Sequence, residues 1–181
     1  MTYKSFLLPL FEYADVVWDN CTDKLSNELE HLHLDALRTI VGSVWGTSHE
    51  KLCVESGFTS LKIRRFRHKL ILYFKIVNGS VPNYLIQLLP ALVAQRNPYP
   101  LRNPLARDPQ HCRTELYRCS FIPSTTNTWN NLPDSVKCSN SLSSFKRYLS
   151  RADIAVPPYY YVGNRDVQIV HCRLRLGMRI D

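Results

Sequence analysis

Glycine is scarce in this chain, and what little there is stands alone. Gly42, Gly46, Gly57, Gly79, Gly163 and Gly177 are isolated from one another, so no glycine-rich loop is present to cradle a nucleotide phosphate. Paired cysteines are missing too. Cys21, Cys53, Cys112, Cys119, Cys138 and Cys172 form no Cys-x-x-Cys pair and no short even framework, which excludes a disulfide scaffold and predicts free thiols in a reducing compartment. Long apolar runs are absent as well. Phe6 to Phe11 is interrupted by Pro9 and followed at once by Glu12 and Asp15, and Tyr84 to Ala94 is broken by Gln87 and Pro90. Neither run matches a signal peptide or a bilayer span, so the expectation is a soluble, intracellular protein with no membrane partner. No repeat and no low-complexity segment occurs.

Acidic residues are also thin over most of the length. Among the 181 residues, 23 are Lys or Arg and 15 are Asp or Glu, for a net charge of +8, and the imbalance is uneven. Residues 1 to 59 hold four bases against nine acids, a net of −5; residues 60 to 181 hold 19 bases against six acids, a net of +13. Such lopsidedness suggests a polyanionic partner for the later part and an acidic docking surface on the earlier part. A hydrophobic content of 45% is ordinary for a globular protein, and 181 residues are enough to bury a core.

The charge concentrates on one stretch, Ser60 to Gly79. Ser60 is a natural N-cap, Ile63, Phe66, Leu70, Tyr73 and Val77 recur at helical spacing, and Asn78-Gly79 supplies a left-handed stop, so the stretch reads as one helix. Lys62, Arg64, Arg65, Arg67, Lys69 and Lys75 lie on it without any Asp or Glu. Solvent or acids elsewhere in the fold are the ordinary answer to such a charge run, and a phosphate backbone is the sharper one.

The rest of the chain reads as mostly α. Residues 3 to 17 have helical periodicity that Pro9 should kink, with Tyr3, Phe6, Leu7, Leu10, Phe11, Ala14 and Val17 packed. Lys24 to Val41 puts Leu25, Leu29, Leu32, Ala36, Leu37 and Ile40 on one stripe, closed by Gly42. Thr47 or Ser48 caps a short helix ending at Gly57, and Pro82 opens another to Leu89. The prolines from Pro90 to Pro109 then imply an extended loop. Within it, Leu116 to Phe121 alternates as a strand and should pair near Tyr99 to Leu101 as a short β-hairpin. Thr125 to Leu132 makes a helical turn around Trp129, Ser141 caps a helix with Leu142, Phe145, Tyr148 and Leu149, and Asn164 caps a basic terminal helix through Val167, Val170, Leu174 and Met178. The expected division is a helical thumb-like bundle over 1–90, a Pro-rich connector over 91–156, and a linker with a basic terminal helix over 157–181.

Signatures of catalysis do not assemble. His31 and His33 point to different sides of a helix, and His49 with Cys53 offers only two ligands where a zinc site usually needs four. His171-Cys172 is equally short of partners, and no base and orienting group accompany a nucleophile. The expectation is no catalytic residue, no metal, no cofactor and no small-molecule substrate. Beyond the basic helix, Arg96, Arg102, Arg107, Arg113 and Arg118, then Lys146, Arg147 and Arg151, then Arg173, Arg175 and Arg179 form further basic strips, with Tyr99, Tyr117, Phe121 and Trp129 interleaved for stacking on unpaired bases.

Several strings, taken in order, resemble one family. Tyr3-Lys4-Ser5-Phe6-Leu7-Leu8-Pro9-Leu10-Phe11-Glu12-Tyr13 with Val17-Trp18, Ala36-Leu37-Arg38 before Gly42, Leu61 with Arg64-Arg65, His68-Lys69-Leu70 and Lys75, and Pro82-Asn83-Tyr84-Leu85 open the match. Leu101-Arg102-Asn103, Ser120-Phe121-Ile122-Pro123-Ser124, Trp129-Asn130-Asn131-Leu132-Pro133, Phe145-Lys146 and His171-Cys172-Arg173-Leu174-Arg175 continue it. Together they resemble the region after the palm in metazoan non-LTR (LINE-like) retrotransposon reverse transcriptases. That resemblance implies a fragment or relic: a helical thumb and connector that holds RNA or an RNA/DNA hybrid beside a polymerase palm located elsewhere, without polymerase activity of its own. Tyr13-Ala14-Asp15-Val16 has three quarters of the family's Tyr-x-Asp-Asp turn, but Val16 replaces the second carboxylate needed to share divalent metals. Lys62, Arg64, Arg65, Arg67, Lys69, Lys75, Arg173 and Arg175 are the expected phosphate contacts, chosen by charge. The alternative is a non-enzymatic helical interaction module that docks a protein through its acidic early surface while its bases are merely solvated.

Overall fold

The computed structural model describes residues 2–44, 46–96 and 103–151, with the backbone alone for Arg96. The expected terminal helix, Arg173, Arg175 and the Tyr99 to Leu101 strand all lie outside these residues. The described part is mostly helical. A π-helical turn, Tyr3–Leu7, runs into α1, Leu8–Glu12, and α2 is Asp15–Trp18. Pro9 sits in the first turn of α1, where its missing N–H costs little, so the break falls instead at Ala14, whose φ is 50°. Next come α3, Asp23–Val41, and α4, His49–Ser56, each stopped by a left-handed glycine, Gly42 and Gly57. Helix α5, Leu61–Val77, ends where the Asn78 amide donates to Phe74 O (2.8 Å) and Gly79 turns left-handed.

Short helices α6, Asn83–Ile86, and α7, Val93–Arg96, follow. Then come α8, Glu115–Cys119, α9, Phe121–Asn130, α10, Asp134–Lys137, and α11, Leu142–Arg151. The expected hairpin is corrected here. Residues 115–119 are helical because Thr114 caps them, its hydroxyl accepting from Tyr117 N at 3.3 Å, and because Glu115 and Arg118 pair one turn apart. No strand occurs among the described residues; Leu92 and Arg107 make an isolated antiparallel bridge. The single turn expected around Trp129 is a ten-residue helix, α9, with Pro123 tolerated in its first turn.

The chain divides into two units, whose described parts fall within residues 2–20 and 63–151 for the first and within 21–62 for the second. In the first, α5 supplies Phe66, Leu70, Tyr73, Phe74 and Ile76 to a core that α9 completes with Trp129 and α11 with Phe145 and Leu149. Phe74 stacks on Phe145 with centroids 4.4 Å apart, and Trp129 lies 5.3 Å from Tyr73 and 6.0 Å from Phe145. Each of these fully buried side chains contributes about 1.5–3 kcal/mol relative to exposure.

In the second unit, α3 and α4 close over Leu34, Leu37, Leu52 and Leu61, the last from the start of α5. The buried face of α3 is Ser26, Glu30, His33, Leu34 and Leu37. That face is rotated away from the apolar stripe read in the sequence, since Leu25, Leu32 and Ile40 are exposed. Buried Glu30 explains the rotation. Its carboxylate accepts the N–H of Leu61 at the α5 N-terminus (3.3 Å) and lies 3.3 Å from His49 Nε2.

Candidate functional site

The basic helix α5 is the candidate site, and acids from the first twenty residues answer much of its charge. Glu12 closes α1, Asp15 opens α2 and Asp19 follows it, and each meets a basic residue or His68 of α5. Glu12 pairs with Arg64 Nε. Asp15, 4% exposed, lies 2.5 Å from His68 Nδ1. Asp19 takes two partners, with Arg65 Nε at 2.9 Å on Oδ1 and Lys69 Nζ at 2.6 Å on Oδ2. All three of these side chains are only 3–4% exposed, and the Arg65 guanidinium also lies over the Trp18 ring, 5.4 Å from its centroid.

Arg65 and Lys69 are therefore core residues of an ionic kind. Two cations removed from water are tolerable because one carboxylate serves both. The remaining expected contacts lie at the margin. Lys62 is half-buried and donates to Asn27 Oδ1 at 2.8 Å, while Arg64, Arg67 and Lys75 are also half-buried. Burial, together with the charge of neighbouring Arg64, pushes the Arg67 guanidinium below its usual value.

The inward acids leave α1 and α2 with an unusual outer side. Phe6, Leu10, Tyr13 and Val17 are 69–79% exposed and recur at spacings of four, three and four. The packing expected of Phe6, Leu7, Leu10 and Val17 is corrected here: all four are exposed, because the acids of this segment, not its apolar residues, face the protein. The −5 and +13 halves of the sequence were the signal for this arrangement, since they mark two regions that can neutralise each other.

Other reactive groups are quiet. Burial and then Glu30 raise the Cys53 thiol, and burial followed by a hydrogen bond to Glu115 raises Cys119, so both are held protonated and poorly nucleophilic. Among the described residues no group of three His, Cys, Asp or Glu is arranged to hold a metal, and no helix is long and apolar enough to cross a membrane. The architecture is that of a helical protein whose most conspicuous chemistry is cationic. Comparison with protein-family profiles, curated proteins and solved structures finds no match.

Proposed function

We propose that this chain is a non-catalytic thumb-and-connector region of a LINE-like retrotransposon reverse transcriptase, a fragment or relic that binds the backbone of RNA or an RNA/DNA hybrid without sequence preference. The observation that carries the reading is the outer margin of α5. Lys62, Arg64, Arg67 and Lys75 line a helix without acids, and the Arg64 charge still bears on Arg67. The ordered strings that resemble the post-palm region support the same reading, and the exposed apolar side of Phe6, Leu10, Tyr13 and Val17 suits a segment that packs on a polymerase palm.

Filter binding of single-stranded RNA tests it. If about four phosphates are neutralised, affinity falls with log salt at a slope of about −3. Arg67→Glu with Lys75→Glu weakens binding while leaving the fold intact. No binding, or binding indifferent to salt, rejects the proposal.

The same exposed apolar side favours a second reading, a helical module that docks another protein while its bases are solvated. Absence of RNA binding by the parent chain, with partner capture lost on Leu10→Ser, selects that reading.

A further inference from the structure

Several cations of the described residues are already engaged by carboxylates. Arg64, Arg65 and Lys69 have Glu12 and Asp19, Arg38 has Asp35, Arg118 has Glu115, and buried Lys137 has Asp134. Helix α11 differs. Its sequence, Leu-Ser-Ser-Phe-Lys-Arg-Tyr-Leu-Ser-Arg, contains no acid, and Lys146, Arg147 and Arg151 are all exposed. Among the described residues no carboxylate pairs with any of the three.

We infer that the exposed side of α11 is the principal phosphate-backbone contact for single-stranded RNA, ahead of α5. This inference rests on the proposed nucleic-acid reading and relocates its site. Three features argue for it. Ser141 fixes the start of the helix, its hydroxyl accepting from Ser144 N at 3.2 Å, and Phe145 and Leu149 anchor the opposite side in the core. The cations therefore project from a rigid support and lose little further freedom on binding. Arg147 and Arg151 are one helical turn apart, about 6 Å along the axis, so both can follow one strand of a flexible backbone. Guanidinium forks bind phosphate in bidentate fashion and remain charged at any physiological pH.

The packing also separates RNA from a membrane surface as the polyanion. A helix that lies on a bilayer inserts an apolar side beneath the headgroups. In α11 that side is consumed by Phe145 and Leu149, which are 0% and 1% exposed.

Fluorescence anisotropy with a labelled oligouridylate, on the full chain at 50 to 200 mM salt, tests the inference. The variant Lys146→Gln, Arg147→Gln, Arg151→Gln is compared with an exposed control outside the helix, Lys24→Gln, Lys51→Gln. The three α11 changes are expected to weaken binding on the order of tenfold or more and to reduce the magnitude of the salt slope by about 2, with an unaltered unfolding midpoint. The control pair is expected to change affinity less than twofold. RNA binding by the parent chain with no change in the α11 variant overturns the inference while leaving the nucleic-acid reading standing. Equal losses in variant and control also overturn it, because net charge alone then explains binding. A parent chain that binds phosphatidylserine vesicles and not RNA overturns both.

Discussion

Arg65 Nε donates to Asp19 Oδ1 across 2.9 Å, joining two residues 46 positions apart in side chains that are almost fully enclosed. The same carboxylate reaches Lys69 Nζ at 2.6 Å. Removing its charge strands two cations at once. Asp19→Asn is expected to destabilise the protein by about 3–5 kcal/mol, read from urea unfolding midpoints, whereas Glu12→Gln at the half-buried Arg64 pair costs about 1 kcal/mol or less. Similar losses from both variants would refute the ranking.

Alkaline pH should find a weak point at Tyr73. Thr126 spends its hydroxyl hydrogen on Ile122 O (2.8 Å), so in the 3.0 Å contact between Tyr73 and Thr126 the phenol is the donor. Burial pushes the Tyr73 phenol above its ordinary value. An acid whose folded pKa is raised holds its proton in the folded state after the unfolded chain has released it. Its stabilising contribution is complete below pH about 10 and is lost as pH rises through the folded value. Tyr73→Phe is expected to cost about 1 kcal/mol at pH 7 and to flatten the decline above pH about 10. Urea titrations across that range measure both effects.

Trp129 and Phe145 should be energetically coupled. Their centroids are 6.0 Å apart, and both rings touch Phe74. Each change to Ala is expected to cost about 3–5 kcal/mol, and the double-mutant cycle with Leu replacements should show a coupling of about 0.5–3 kcal/mol. Strict additivity would place the residues in independent parts of the core.

The outward apolar side of α1 and α2 makes a contrary prediction. Leu10→Ser and Val17→Ser remove exposed side chains, so each is expected to alter stability by no more than about 0.5 kcal/mol. Both should reduce self-association in light scattering at high protein concentration. A large loss of stability would mean that these side chains are packed.

The helices were legible where local chemistry decides them. Gly42 and Gly57 stop α3 and α4, Ser141 starts α11, and Asn78-Gly79 ends α5 as read from the sequence. What sequence could not give was which side of a helix turns inward. Hydrophobic periodicity put Leu25, Leu32 and Ile40 in the core, but a buried carboxylate, Glu30, rotated α3 toward the N-terminus of α5. Alternation also failed at Leu116 to Phe121, where Thr114 and the Glu115–Arg118 pair favour helix. For the candidate site, three of the six bases without a local acid, Arg64, Arg65 and Lys69, each find a carboxylate outside the helix. The sequence does not show that Asp19 provides it for both Arg65 and Lys69, since the partners lie about fifty residues apart.

That separation also has a schedule. Glu12, Asp15 and Asp19 meet residues 46 to 53 positions further along. At about 5–20 residues per second, synthesis of the intervening chain takes roughly 3–10 s. Throughout that interval the nascent segment offers both an unsatisfied acidic edge and the apolar edge of Phe6, Leu10, Tyr13 and Val17. Until α5 is made, none of these three acids has the partner that it meets in the folded chain.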